Sequence, residues 1–515
     1  MESKAAVDTE KATKFKEEGN KFFGANKFQK AHDAYSKAID ANPTDPVFYA
    51  NRAFCHIKLE AYGSAIQDAT KAIELDPKYV KGYYRRGAAY LAMGKYSSAL
   101  KDIKEVIQSR QWCVKVAKIA PNDKDAKEKM NACKKAIREQ KFAEAIESEH
   151  GKPMSETAAA DWKSLGTSVT VTLCPEVPPS YDGPRMEDGE GSESGVTLDF
   201  VKSVMERFRN QKTLHKKYVY KIVLDCITLF KKLPNLVDID IPKSGQFTVC
   251  GDVHGQFYDV LNIFELNGMP STENPYLFNG DFVDRGSFSY EVIVTFFSLK
   301  LLYPQHFFLT RGNHESRTMN SIYGFKGEML HKADETAYEL FCEAFNLLPL
   351  GAVLNKKVRA GLYHSQVLVV HGGLFSQDNV TLEQVQKVDR NCQPPDTGLM
   401  CEILWSDPQP QKGRAPSKRG VGLSFGPDVT AKFLQYNKLE LVVRSHEVKD
   451  DGYEIEHDGK CITVFSAPNY CDSMGNKGAF VKFKADLKPQ FTSYAAVAHP
   501  PVRPMAYASS MFGMG

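Results

Sequence analysis

Long hydrophobic runs are missing from this sequence. Its longest apolar stretch, Val292–Leu302, is broken by Lys300 and is too short to cross a bilayer, so no membrane span is expected. The first twenty residues lack an apolar core and carry charges of both signs, which argues against a secretory signal or an acidic-poor transit peptide. A dominant charge is missing too: 66 basic and 63 acidic residues leave a net +3, a balance that calls for neither nucleic acid nor an anionic membrane. The cysteines number eleven but form no CxxC pair. That speaks against a structural thiolate zinc site and for reduced thiols in the cytoplasm or nucleus. At 515 residues the chain exceeds one ordinary domain, and roughly two to four are expected.

What is present begins with a repeat. At an offset of 34 the sequence matches itself in the columns Gly19, Ala53, Gly87; Ala31, Ala65, Ala99; and Phe28, Tyr62, Tyr96, with Pro43 and Pro77 marking the same position in two units. This is the tetratricopeptide period. Small residues recur where paired helices approach, and each proline stops a second helix. The third proline is displaced: Gln111 stands where it is due and Pro121 follows ten residues late. The extra residues, 107–118 with Trp112 and Cys113, either extend the second helix or form a loop before a C-terminal helix over Asp123–His150. The repeat domain is set at residues 1–150.

From 151 to 195 the segments PEVPPSYDGP and EDGEGSESG lack apolar periodicity and read as a linker. A second domain over 196–498 follows, opening with a helical stretch at Val196–Lys232. Six short apolar runs then read as buried strands: Gln246–Cys250, Pro275–Phe278, His306–Leu309, Gln366–Val370, Leu439–Val443 and Cys461–Phe465. Helical stretches such as Ser289–Leu302 and Asp334–Leu347 alternate with them, giving an α/β or α+β core. The Pro- and Met-rich end, 499–515, is either frayed or docked.

Each strand runs into a polar motif: GDVHG, GDFVDRG, RGNHE, HGGL, RSHE and SAPNYC. On an extended strand Asp252 and His254 share a face and can reach one cation, and Asp281 can bridge to a second completed by Asn313, His371 and His446. A shared carboxylate oxygen sets two metals roughly 3.5–4 Å apart, the spacing that suits in-line displacement at phosphorus with a metal-activated hydroxide as nucleophile. Nitrogen and oxygen ligands without thiolate favour manganese, iron or zinc over softer metals and do not decide among these. His314, charged and oriented by Asp284, can protonate the leaving alkoxide. Arg285 and Arg419 can grip phosphate oxygens, and Tyr470 can add a hydroxyl.

In these motifs the chain resembles the metal-dependent phosphoprotein phosphatase family over Leu198–Phe491, and the repeats narrow this to a tetratricopeptide-bearing member. The resemblance implies a β-sandwich flanked by helices, two divalent metal ions and hydrolysis of phosphoserine and phosphothreonine in proteins. In the repeats, Lys16 and Asn20, Asn51, and Lys81 with Arg85 fall on corresponding helical faces, a donor set able to hold two carboxylates. Its similarity to carboxylate clamps implies the acidic tail of the ninety-kilodalton heat-shock chaperone as partner. The same resemblance implies self-inhibition by the repeats, with Glu60 as the phosphate-mimicking plug and the C-terminal segment as regulator, and a fatty-acid activator. The competing readings are a non-catalytic chaperone adaptor and a metallophosphoesterase acting on non-protein phosphoesters. The intact Asp281 and His314 oppose the first; RSHE, SAPNYC and Glu315 oppose the second.

Overall fold

The computed structural model describes residues 8–113, 176–186, 195–241, 245–355, 366–484, 486–503 and 505–508, with scattered positions between 130 and 155. Two compact units divide the chain, one built on the N-terminal repeats and one on residues 152–415 and 422–509.

The first unit is a series of helix pairs: α1 (Thr9–Gly24), α2 (Phe28–Ala41), α3 (Pro46–Lys58), α4 (Tyr62–Leu75), α5 (Val80–Ala92) and α6 (Tyr96–Cys113). The columns have structural meaning. Phe28, Tyr62 and Tyr96 each open the second helix of a pair, and Ala31, Ala65 and Ala99 are wholly buried beneath them. At Gly19 an added Cβ would lie 2.6 Å from the Tyr35 ring, so the packing of α1 on α2 admits no side chain there. A second periodic feature, not foreseen from the sequence, is a repeated two-pronged ion pair. Arg52 donates to Asp68 at 2.7 and 2.8 Å, and Arg86, 34 residues on, donates to Asp102 at 2.9 and 2.9 Å. The third repeat takes the extended-helix form as far as Cys113, since neither glycine nor proline interrupts α6. Residues 114–118 and most of the expected helix over Asp123–His150 lie outside the described residues.

The second unit opens with α7 (Leu198–Arg209) and α8 (Lys216–Phe230). The single helical stretch expected over Val196–Lys232 is therefore two helices. Gln211, at φ 57°, turns the chain left-handed after the Asn210 cap, and Leu214 is buried in the connection. The linker expectation needs a correction as well: residues 176–186 pack on this unit. Tyr181 OH accepts from His215 N at 3.2 Å, Asp182 pairs with Arg207 and Lys212 at 2.9 Å each, and Met186 is buried. An aromatic, an acid and a methionine suffice to anchor a segment that has no periodicity. The rest of 151–195, apart from Ser155 and Gly195, lies outside the described residues.

A six-stranded sheet has the order β1 (Leu236–Ile239), β5 (Gly351–Leu354), β6 (Val367–Val370), β10 (Leu441–Arg444), β12 (Cys461–Val464), β11 (Tyr453–Glu456). A five-stranded sheet has the order β14 (Pro489–Tyr494), β13 (Gly478–Phe483), β2 (Phe247–Cys250), β3 (Tyr276–Asn279), β4 (Phe307–Thr310). A small third sheet pairs β7 (Asp407–Pro408), β9 (Leu423–Phe425) and β8 (Arg414–Pro416). Period-two alternation decides how the two large sheets pack. Val249, Leu277 and Phe308 from one sheet meet Val369, Val443 and Ile462 from the other in a common core. Their neighbours Cys250, Phe278 and Leu309 face outward onto helices, as do Val370, Val442 and Cys461 on the opposite side. With both faces covered, these strands read as continuous apolar runs rather than alternating ones.

The helices over the outward face of the five-stranded sheet include α9 (Phe257–Asn267), α10 (Ser289–Leu302), α11 (Arg317–Tyr323), α12 (Phe325–Lys332) and α13 (Glu335–Asn346). The end of the chain is docked as far as Ala508. Ser287 Oγ donates to Arg503 O at 3.0 Å, Met505 N donates to Arg285 O at 3.1 Å, and the Tyr507 carbonyl packs where Gly327 has no Cβ.

Candidate metal centre and acid pair

The two sheets meet at the C-terminal ends of β2 and β12, where Asp252 and Phe465 form an isolated parallel bridge. Ser466 ties the junction by accepting from Gly251 N at 2.8 Å and donating to Ala479 O at 2.6 Å. Gly251 is required here, since a Cβ would stand 2.0 Å from Val464 O. The turns that leave these strand ends carry the predicted residues, and the structure brings Asp252, His254, Asp281, Asn313, His314, His371 and His446 together, all buried.

The reason why Asp252 and His254 meet differs from the one expected. β2 ends at Cys250, and His254 is reached through a turn at φ 40° rather than along a strand. The same backbone signature recurs at Asp281 (52°), Asp284 (72°), Arg285 (68°) and His446 (71°). Left-handed conformations are costly for such residues and persist where surrounding contacts impose them. At Asp281 the contact is Glu315, whose carboxylate accepts from the backbone N of Asp281 (2.8 Å), Phe282 (2.9 Å) and Gly312 (2.8 Å).

Two sets of possible ligands share Asp281: one with His254 and His314, the other with His371 and His446. Within each set the ligand atoms lie within 4.8 Å of one another. His254 Nδ1 donates to Val283 O at 3.0 Å, so its Nε2 lone pair faces Asp281 Oδ2 (3.5 Å) and Asp252 Oδ2 (3.7 Å). His371 Nδ1 donates to Asn279 O at 2.8 Å, and its Nε2 faces Asn313 Oδ1 (2.9 Å), His446 Nδ1 (3.2 Å) and Asp281 Oδ2 (3.3 Å). Lone pairs aimed at one another at these distances fit a shared cation, with backbone carbonyls fixing each imidazole from behind. The electrostatics agree. Burial pushes the Asp252 carboxyl up to about 7 and that of Glu315 up to about 8, and burial drives His254 and His371 down, so cationic charge at this point offsets the desolvation of the acids while the imidazoles stay neutral.

His314 stands in the first set, yet its Nδ1 is committed to Asp284 Oδ2 at 2.8 Å, which turns Nε2 toward the centre. Asp284 is fully buried, and burial pushes its pKa up to about 7 against the opposing pull of Phe325 N, Asn320 and Arg285. Arg285 is buried with its guanidinium 3.7 Å from the Tyr323 ring centroid, and Tyr470 lies with its ring 5.2 Å from that of His254. Arg419 is different: it lies on the 416–421 segment, outside the compact second unit, and its N donates locally to Ser417 Oγ at 3.0 Å.

Residues with no role assigned from the sequence also hold the site. Asn279 positions His371 and donates to Val370 O (2.7 Å) and Ser445 Oγ (2.9 Å). Arg444, fully buried, donates to Asp407 (2.8 Å), Glu447 (3.0 Å) and the Gly372 carbonyl (2.6 Å), tying the HGGL and RSHE turns together. Its place inside a motif was the available signal. In the repeat unit Lys16 and Asn20 lie on α1, Asn51 on α3, and Lys81 and Arg85 on α5. Asn20 accepts from Tyr35 OH at 2.8 Å, and Arg85 lies 3.5 Å over the Phe54 ring. Glu60 occupies the turn after α3 at φ 60°.

The calcineurin-like phosphoesterase family model matches residues 245–450, tetratricopeptide-repeat models match 47–79 and 69–101, and a model of the PPP5 TPR repeat region matches 130–238. The chain is 52% identical over 552 residues to a serine/threonine-protein phosphatase 5 of Arabidopsis thaliana, covering 98% of each. It is 48% identical over 506 residues to that of Homo sapiens, covering 98% of this chain and 94% of the human one. A solved protein serine/threonine phosphatase from Saccharomyces cerevisiae matches with TM-score 0.57 and 43% identity, over 60% of this chain and all of that one.

Proposed function

The chain belongs to the serine/threonine-protein phosphatase 5 family, and from that premise we propose that its second unit hydrolyses phosphoserine and phosphothreonine with two divalent metal ions, for which Asp281 would be a common ligand. The observation that carries this reading is the sharing of Asp281 between two converging ligand sets. Asp252, His254 and Asp281 would hold one ion; Asp281, Asn313, His371 and His446 would hold the other. Two divalent cations, manganese foremost and iron, zinc or magnesium otherwise, would supply Lewis acidity there and lower the pKa of a bound water.

The chain's own groups perform the remainder. Arg285, stacked on Tyr323, presents a guanidinium to phosphate oxygens, with Arg419, Asn313 and the Tyr470 hydroxyl as further contacts. As the water oxygen bonds to phosphorus and the bond from phosphorus to the serine or threonine oxygen breaks, His314 gives its Nε2 proton to that departing oxygen. Asp284, bonded to Nδ1, keeps the ring aimed and supports its positive charge. The test is manganese-dependent turnover of a phosphoserine peptide beside a cyclic nucleotide and single-stranded DNA, with Asp281→Asn as control. Preference for either non-peptide substrate, or an unaffected Asp281→Asn enzyme, overturns the reading.

The repeat unit serves as a recruitment and control module. Lys16, Asn20, Asn51, Lys81 and Arg85 stand on the first helices of successive repeats, an arrangement suited to the paired carboxylates of an acidic chaperone tail. Binding there favours an open enzyme over one in which Glu60 and the 499–515 segment restrain the centre, and a fatty acid acts toward the same state. Calorimetry with an acidic chaperone-tail peptide tests the clamp: Arg85→Ala is expected to weaken binding at least tenfold, or on the order of 1.4 kcal/mol. Turnover with and without that peptide tests the restraint, and an unchanged rate defeats it. The same reading places the protein in cytoplasm and nucleus, which fractionation checks.

A further inference from the structure

The acid pair is held by a residue that none of the motifs contains. Asn320, on α11, is completely buried. Its Nδ2 donates twice, to the main-chain carbonyl of His314 at 2.7 Å and to Asp284 Oδ2 at 3.1 Å. Asp284 Oδ2 in turn accepts from His314 Nδ1 at 2.8 Å. One amide thus closes a ring that runs from the backbone of His314 through Asn320 and Asp284 to the imidazole of the same histidine. Such a ring fixes the ring plane relative to the backbone, and with it the direction of Nε2. The other carboxylate oxygen of Asp284 accepts from Phe325 N at 2.9 Å, and its own N donates to Ser289 Oγ at 3.1 Å, so the acid is immobilised from three sides. Between Asn320 and Phe325 lies Tyr323, whose ring packs 5.2 Å from that of His314 and 3.7 Å from the Arg285 guanidinium, and whose carbonyl accepts from Arg285 N at 3.0 Å.

We propose that Asn320 is the positioning residue for proton delivery: its amide aims His314 Nε2 at the oxygen of the departing serine or threonine, and it does so without touching substrate or metal. This inference rests on His314 being the acid, and the experiment separates the two. A serine or threonine alkoxide leaves poorly without a proton, whereas a nitrophenolate leaves well without one, so misaiming the acid penalises the first substrate selectively. A misplacement of about 1 Å costs on the order of a hundredfold.

The full-length protein with added manganese is assayed on a phosphoserine peptide and on p-nitrophenyl phosphate. The variants are Asn320→Ala, which removes both donors, Asn320→Leu, which removes them while filling the volume, and Asn320→Ser, which keeps one donor. Thermal unfolding confirms that each compared variant is folded. The expected result is a fall in kcat of about a hundredfold on the peptide with KM unchanged, and of no more than about threefold on the nitrophenyl ester, with the serine variant between. Equal loss on both substrates, or loss on neither, overturns the proposal. His314→Gln run in parallel identifies what has failed. If it discriminates between substrates while the Asn320 variants do not, Asn320 has no positioning role and the acid reading stands. If His314→Gln itself does not discriminate, the acid reading falls and this inference with it.

Discussion

The repeat unit and the metal centre are built on opposite principles. In the repeats the packing positions recur at a fixed interval on helices that mostly pack against their sequence neighbours, and Arg52 and Arg86 form the same ion pair 34 residues apart. At the centre nothing recurs. Asp252, Asp281, Asn313, His371 and His446 come from five separate turns, and each is held by a contact from elsewhere in the chain, as Asp252 Oδ1 is by His446 N at 3.0 Å. Local periodicity spreads stability along a stack, whereas convergence concentrates it at one junction.

The contrast can be broken at several points. Losing the shared carboxylate should have the largest effect: Asp281→Asn is expected to lower kcat on the order of a thousandfold and to reduce bound metal, read by elemental analysis of the purified protein. Gly251→Ala, whose Cβ would meet Val464 O at 2.0 Å, should destabilise the second unit by about 3 kcal/mol, seen as an earlier melting transition of that unit in calorimetry. Arg86→Ala leaves Asp102 buried without its fork, and should cost the repeat unit about 2 kcal/mol, with faster amide exchange spreading to the neighbouring repeats. If the loss stays within α5 and α6, the stacked view of that unit is wrong.

The smallest expected effect is a pH response at the docked end of the chain. Burial lowers the pKa of His499, but the Pro500 carbonyl and Asp472, 3.2 Å away, outweigh it, and the folded-state value stands above the ordinary one. The sign follows. The charged form holds the segment below the ordinary histidine value, and the hold is lost as pH rises through the raised folded value. Asp259, which accepts from Val497 N at 3.0 Å, also faces His499, while Phe288 packs on its ring. Amide exchange of residues 497–503 should therefore quicken on going from mildly acidic to mildly alkaline conditions beyond the intrinsic rate change, and His499→Gln should abolish that dependence.

Much of this was legible in the letters. The strands were readable because both faces of each sheet are covered, which leaves short, mostly apolar runs such as FTVC and VLVV. The converging polar residues were readable because polar motifs at the ends of buried strands have few other uses. Asn320, Asn279 and the anchoring of 176–186 were not. An asparagine within a helix, or a Tyr-Asp pair in a proline-rich stretch, has no local pattern to distinguish it, and its meaning comes from partners up to 166 residues away.

By itself the sequence determined the helical period, the alternation that buries each strand, and the identity of the groups able to bind metal or move a proton, because these depend on side-chain chemistry and on neighbours within a few residues. Only the tertiary structure decided which histidine nitrogen faces the centre, which backbone turns adopt left-handed angles, and that Asn320 closes a ring on His314. Those properties belong to contacts between distant turns, and the free energy that imposes them is supplied by the packed sheets rather than by any segment alone.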